Sequence, residues 1–342
     1  MPLSKPGTVE DPLPLLSFHD IIKDTLPPVD WLIEPIIANG DRVVVYGQFG
    51  SLKSWLLLHL GLSVAAGQPW LSTFDIPTPQ SVLYVDEEMS VRTLRRRIKR
   101  LAMGSRLESE PLSFRVLSQP GITFDARGAA ALLTGLAQQS CNPNLILIET
   151  LRRVLCGNEN DAEAVSAFWK NIEPLRASGK TVIISHHMRK PYKEGEQNSR
   201  YRASGSTDIL AGADSAYAIE LEEEGLLRMT CVKSRNAEEP KPFYVSLRDT
   251  DIDGPILMHF EGFHQDTLPK MQEHKRVLPI IREILAATSD GTIKTRDLLR
   301  QLEERGIAER TAQRALTSAR KRGEVKPVRH GVWQWTQSGV TA

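Results

Sequence analysis

The sequence predicts an α/β fold: a doubly wound, mainly parallel sheet, followed by a small C-terminal module of three helices and a hairpin. Two observations carry this. Between residues 42 and 214, short runs of contiguous β-branched and apolar residues alternate with segments of helical periodicity. Such runs suit strands covered on both faces, and their alternation with helices implies parallel crossovers. Beyond Gln272 the periodicity is helical three times over and then becomes strand-like, while the charge turns basic.

Taken in order, residues 1–17 are rich in proline and polar residues and are expected to be poorly ordered. The strand runs are VVVY (43–46), SVLYV (81–85), LILI (145–148) and TVIIS (181–185). Helices are expected over 55–66, 91–103, 127–139 and 162–177. YAIEL, LLRMTCV and FYVSL follow with short turns and are expected to extend the sheet antiparallel. The organisation that results is a core over 18–262, a linker over 263–272 and the C-terminal module over 273–337.

Composition bounds the function. Of 342 residues, 41% are apolar and 25% charged, an ordinary balance for a globular protein. No apolar run is long enough for a membrane span, and the first residues lack the pattern of a secretory signal. Cys141, Cys156 and Cys231 are widely spaced and give neither a disulfide framework nor a zinc site. A cytoplasmic protein without a membrane partner is expected. The net charge of +1 hides an asymmetry: from Pro269 onward fifteen Lys/Arg face eight Asp/Glu. A basic tail of this kind suits a polyanionic partner.

The first strand runs into GQFGSLKS (47–54) and then into a helix. The phosphate loop G-x-x-x-x-G-K-[ST] occupies this strand-to-helix position, where glycines turn backbone amides toward phosphate oxygens. Gly47, Gln48, Phe49, Gly50, Ser51, Leu52, Lys53, Ser54 and Trp55 are therefore the candidate ATP-binding residues. Lys53 is assigned to the β- and γ-phosphates and Ser54 to Mg2+. Leu52 stands where the pattern has its second glycine, so the loop requires that leucine accept whatever conformation the glycine takes.

Chemistry in open parallel sheets gathers beyond the C-terminal strand ends. The second strand ends in Asp86-Glu87-Glu88. Glu87 or Glu88 is a candidate to polarise the attacking water, the alternative being stabilisation of the following helix dipole. Glu149, after LILI, is the candidate on the metal side, although aspartate is the usual residue. His186-His187, after TVIIS, offers a γ-phosphate sensor or a hydrogen-bonding cap at the sheet end.

The order of these motifs resembles the RepA-like hexameric helicases of plasmids and mobile elements, a branch of the RecA/DnaB superfamily. The resemblance runs from PPVDWLIEP through VLYVDEEMS, LILIETLRRV, GNENDAEAV and VIISHHMRK to ASGSTDILAGADSAYAI and VKSRNAEEPKPFYVSL. It implies a RecA-like core, ATP and Mg2+ as cofactors, Glu87 or Glu88 as base, and His187 or His186 as sensor. Lys233 and Arg235, as K-x-R, match fingers that enter a neighbouring subunit's ATP site, with Arg202 as a competing finger. A homo-oligomer, in all expectation a hexamer, follows, with single-stranded DNA in its channel. Lys190, Arg202, Arg152 and Arg153 are candidate contacts to that strand, and Tyr192 or Tyr201 is available for stacking. Solvated basic loops are the alternative.

The C-terminal pattern resembles a winged helix, with a helix-turn-helix joined at Gly306-Ile307 and a hairpin turning at His330-Gly331. Arg310, Gln313, Arg314 and Thr317 share a helical face suited to a major groove, and Arg329 and His330 fall on the wing. Trp333 and Trp335 are expected in its core. The functional expectation is an ATP-dependent DNA helicase. Its rivals are a DNA-bound regulatory ATPase without unwinding activity and a loader or adaptor.

Overall fold

The computed structural model describes residues 17–23, 28–139, 141–188, 203, 205–223, 225–249, 251–264, 277–288, 291–307, 309–321, 323–329 and 331–336. The chain divides into two units, Met1–Asp30 and Trp31–Ala342. In the first, helix α1 (Phe18–Lys23) starts with a reciprocal cap. Asp20 N donates to Ser17 Oγ at 3.2 Å, and Ser17 N donates to the Asp20 carboxylate at 3.0 Å. This is the capping-box arrangement, built here with aspartate.

The second unit opens with a short hairpin, β1 (Trp31–Ile33) and β2 (Ile37–Ala38). It continues as β3 (Arg42–Gly47), α2 (Lys53–Ala66), β4 (Val82–Asp86), α3 (Val91–Ser105), β5 (Phe114–Ser118), α4 (Gly128–Gln138) and β6 (Leu145–Glu149). Next come α5 (Leu151–Val154), α6 (Ala162–Ala177), β7 (Thr181–His187), α7 (Asp208–Gly212) and β8 (Ser215–Glu223). β9 (Leu226–Ser234), β10 (Phe243–Asp249) and β11 (Ile256–Phe263) close the main sheet. That sheet has nine strands in the order β11-β10-β9-β8-β3-β7-β6-β4-β5.

Strands β3 to β8 run parallel and β9 to β11 antiparallel. The first of the three later runs was expected antiparallel; β8 instead pairs parallel with β3, Val43 opposite Ser215. Strand direction is set by the crossover that delivers the strand, and nothing in YAIEL encodes it. β5, β11 and the β1–β2 hairpin are additional to the predicted strands.

Side-chain alternation divides the core into two layers. Val43, Val45, Val82, Tyr84, Leu145 and Leu147 face α2 and α3. Val44, Tyr46, Leu83, Val85, Ile146, Ile148 and Ile184 face α4 and α6. α2 is buried on nearly every side, because the β1–β2 hairpin and Trp70 complete its layer. α3 is one-sided, burying Leu94 and Leu101, and Ser90 caps it by accepting from Thr93 N at 3.3 Å.

The C-terminal elements have their own core. They are α8 (described over 277–286), β12 (Thr292–Lys294), α9 (Thr295–Glu304), α10 (Glu309–Lys321), β13 (Val325–Arg329) and β14 (Val332–Trp335). Ile281, Ile284, Leu298, Leu302, Leu316 and Val325 pack together there, with Trp333 and Trp335 against them. Just past the end of α9, Gly306 has a φ of 76° that lets Ile307 N reach back to Leu302 O at 3.0 Å. The strands form a sheet in the order β12-β14-β13. β12, three residues long, was too short to be legible as a strand.

Gly61 lets α2 approach the sheet: a Cβ there would stand 2.8 Å from Leu147 Cδ1 and 2.9 Å from Phe114 Cε2. Gly61→Val is expected to overpack this contact and lower stability by about 1–3 kcal/mol. A urea midpoint equal to or above that of the wild type would show that α2 can shift away at no cost.

Candidate active site

The strand-to-helix junction is built as the sequence predicts. β3 ends at Gly47 and α2 begins at Lys53. A side chain at Gly47 is excluded, since a Cβ would stand 2.5 Å from the Ile219 carbonyl oxygen and 2.6 Å from Ser51 Oγ. Gly50 is left-handed at φ 78°. Leu52 is left-handed too, at φ 58° and ψ 18°. The glycine conformation is therefore kept by a leucine, at a cost of roughly 1–2 kcal/mol. Packing of the Leu52 side chain against the adjoining core offsets it. α2 has no side-chain cap, so none of its first amides is claimed by one.

Lys53 folds back into the loop. Its ammonium donates to Gly47 O at 2.9 Å, Gln48 O at 2.8 Å and Ser51 Oγ at 3.3 Å. Burial pushes its pKa down to about 8, against the pull of Glu149 and Glu88. Ser54 Oγ donates to Glu149 Oε1 at 2.5 Å, and the Tyr84 hydroxyl donates to Glu149 Oε2. Burial raises the Glu149 pKa, and these two hydrogen bonds oppose it. A hydroxyl and a buried carboxylate beside a phosphate loop are the oxygen donors that Mg2+ takes. Among the described residues no group of three or more His, Cys, Asp or Glu could hold a metal by itself. The donor set thus fits a cation completed by phosphate and water.

The three acids after β4 take separate places. Asp86 is fully buried, and its Oδ1 accepts from Glu88 N at 2.7 Å and Met89 N at 2.6 Å. Burial raises its pKa. This turn sends the neighbouring side chains apart. Glu87 accepts from Gly121 N at 3.1 Å and Ile122 N at 2.7 Å, which ties it to the segment after β5. Glu88 lines the cavity beside the loop, 3.4 Å from the Thr150 hydroxyl. Of the two candidate bases, Glu88 is the one at the cavity, and Glu87 is a loop anchor.

That cavity, about 220 Å³, is lined by Phe49 to Trp55, Glu88, Met89, Arg97, Glu149, Thr150 and His187. Burial and the Lys53 charge lower the His187 pKa, so the ring is neutral at neutral pH. His186 points to the opposite layer and is fully buried. Arg97 stacks over the Trp55 indole, 4.9 Å from its centroid. A larger apolar hollow, about 650 Å³, lies between β5 and α4; it shares no lining residue with the cavity, and Gly121 and Ile122, which hold Glu87, belong to its wall.

Lys233 and Arg235 are absent from the cavity. Ser234, at the end of β9, pairs with Ser215, which pairs with Val43 at the start of β3. At about 3.3 Å per residue, Arg235 lies roughly 15 Å from the loop of its own chain. Lys233 Nζ donates to Leu210 O and Ala211 O, each at 2.8 Å. Arg235 donates to Ala211 O at 2.8 Å and pairs with Asp214 at 3.3 Å.

Arg152 and Arg153 are exposed on α5, and Arg153 approaches Glu88 at 3.8 Å. Gln313 and Arg314 are exposed on α10, and Arg329 is exposed at the end of β13. Arg310 belongs to α10, but its side chain, like Lys190, Tyr192, Tyr201, Arg202 and His330, lies outside the described residues. Sequence reasoning gave no role to Tyr84, Met89, Arg97 or Thr150. Tyr84 was within reach, since it lies two residues before Asp86 on a strand that neighbours Glu149.

A mainly parallel sheet with this loop, a serine–carboxylate pair and a second acid at the strand ends has the architecture of a P-loop ATPase. The chain belongs to the AAA-domain family, whose family model matches residues 9–193. Among solved structures it is similar to a DnaB-like replicative helicase, at 13% identity and a TM-score of 0.47 over 64% of this chain. It spans only 59% of that helicase chain. It is also similar to the RadB recombinase, at 17% identity and a TM-score of 0.43, over 64% of this chain and 91% of that one. The flagellar accessory protein FlaH from Methanocaldococcus jannaschii gives 14% identity and a TM-score of 0.42, over 66% and 90% of the two chains. No curated protein matches the sequence. Among the described residues no helix is long and apolar enough to cross a membrane.

The depressed Lys53 pKa has a measurable sign. The ammonium prevails below about pH 8 and the neutral amine above it. Nucleotide affinity is therefore expected to hold below that pH and to weaken as pH rises through it. Lys53→Met should bind weakly with a flat profile; an equally steep profile in that variant would assign the titration to another group.

Proposed function

We propose that this chain is an ATP-hydrolysing, ring-forming, helicase-like motor that acts on DNA in the replication of a plasmid or mobile element. The observation that carries the reading is the meeting of Lys53, Ser54, Glu149, Glu88 and His187 around one cavity at the C-terminal ends of parallel strands. Lys53 and the loop amides would bind the β- and γ-phosphates, and Ser54 with Glu149 would hold Mg2+. Bound there, Mg2+ draws off charge from the phosphoryl oxygens. Glu88 accepts a proton from the attacking water as ATP is cleaved to ADP and phosphate. His187, neutral and facing the same cavity, reports whether the γ-phosphate is present.

The remote position of Lys233 and Arg235 supports their action in a neighbour's site, because neither can reach its own. We further assign 18–262 to the ATPase core, 263–272 to a linker and 273–337 to a winged-helix domain that binds duplex DNA through α10. The exposed Gln313, Arg314 and Arg329 support this assignment, and Arg310 lies on the same helix as the first two. Arg152, Arg153, Lys190 and Arg202 are assigned to single-stranded DNA in the channel of a hexamer.

Glu88→Gln is expected to keep nucleotide affinity and to lose turnover by ~10²–10⁴-fold, the usual contribution of a general base. Glu87→Gln should turn over nearly as wild type. Equal losses in the two variants, measured as turnover and affinity side by side, would remove the assignment.

Mixing tests the ring. Arg235→Ala and Lys53→Ala subunits should each be inactive, yet together recover part of the DNA-stimulated ATPase and strand displacement. Fingers supplied in trans contribute ~10³–10⁵-fold in GTPases, so recovery should be plain. Co-assembly without recovery would mean that Arg235 serves no neighbouring site.

A further inference from the structure

Tyr84 is completely buried in the middle of β4, on the face that packs beneath α2. β4 and β6 are parallel neighbours, with Tyr84 opposite Leu147 and Asp86 opposite Glu149. Tyr84 and Glu149 therefore share one face of the sheet, offset by two residues along the strands. A long side chain bridges that offset, and the phenol hydroxyl ends on Glu149 Oε2. The other carboxylate oxygen, Oε1, takes the Ser54 hydroxyl at 2.5 Å. The two oxygens are thus divided between the core and the phosphate loop.

Phenylalanine would fill the same apolar volume, so packing does not account for the hydroxyl. Glutamate has one more rotatable bond than aspartate, the usual residue at this place, and its carboxylate is correspondingly freer to swing. Fixing such a side chain costs conformational entropy, and a hydrogen bond from an element as rigid as β4 meets that cost before any ligand arrives. We propose that Tyr84 is the positioning residue of the cation site: its hydroxyl clamps one oxygen of Glu149 so that the other is presented at Ser54. The Tyr84–Glu149 pair is what lets a glutamate stand in for the shorter acid. This rests on the reading that the cavity binds a magnesium–nucleotide.

The test is titration of a fluorescent ATP analogue into the full chain at rising MgCl2. Wild type, Tyr84→Phe, Glu149→Gln and the double variant are compared. Tyr84→Phe is expected to match wild type without metal and to raise the MgCl2 needed for half-maximal tightening about tenfold, as loss of a hydrogen bond to a charged group implies. On the Glu149→Gln background the same substitution should change little. Overlapping MgCl2 titrations of wild type and Tyr84→Phe would overturn the proposal. So would a loss of equal size with and without metal, or one that persists with Glu149→Gln, since either marks a packing role. A wild-type chain that binds no analogue at all removes the nucleotide reading itself, and this inference with it.

Discussion

The buried Lys53 ammonium is the interaction on which the arrangement of the site depends. A cation out of water is costly unless its donors are met. Here they are met by two carbonyls and a hydroxyl of the loop that surrounds it. The lysine thus folds the loop around itself, with α2 held in place by burial on nearly every side. Replacing those acceptors by phosphate oxygens exchanges neutral partners for anionic ones. The loop accordingly favours a charged ligand over remaining closed on its own lysine.

Around that cation the sheet supplies the rest. The strand order places β7, β6 and β4 successively beside β3, so acids and a histidine from distant parts of the chain emerge at one edge. Each is set by its own local device: an aspartate-capped turn for Glu88, two hydroxyls for Glu149, strand alternation for His187. The opposite end of the sheet holds a second polar cluster. Arg42 grips Asp214 with two hydrogen bonds of 3.0 Å, and Arg235 joins the same carboxylate. The two ends are chemically unlike: one gathers a lysine, acids and a histidine around a cavity, and the other ties its arginines to a shared aspartate.

The central strands were legible because β3, β4, β6 and β7 are contiguous apolar runs covered on both faces. β5 was not, because it lies at the sheet edge and carries the exposed Arg115 and Val116. The direction of β8 is fixed by the chain that precedes it. In the site, motif spacing located the loop and the acids but left Glu87 and Glu88 equivalent. What separates them is the Asp86 turn, a matter of where two backbone amides point. Tyr84 escaped because a tyrosine within a strand reads as core, and its hydroxyl acquires meaning only once the register with β6 is known.

Leu52 carries a consequence for the loop's motion. Glycine in a left-handed position leaves the unfolded and the loosened chain with many conformations; leucine leaves it with fewer. With its side chain packed against the core, this residue gives up both backbone and side-chain freedom when the loop forms. The junction therefore keeps its shape against local strain: the left-handed conformation that costs a leucine about 1–2 kcal/mol holds only while its side chain stays packed, so a disturbance of that packing is felt at the loop.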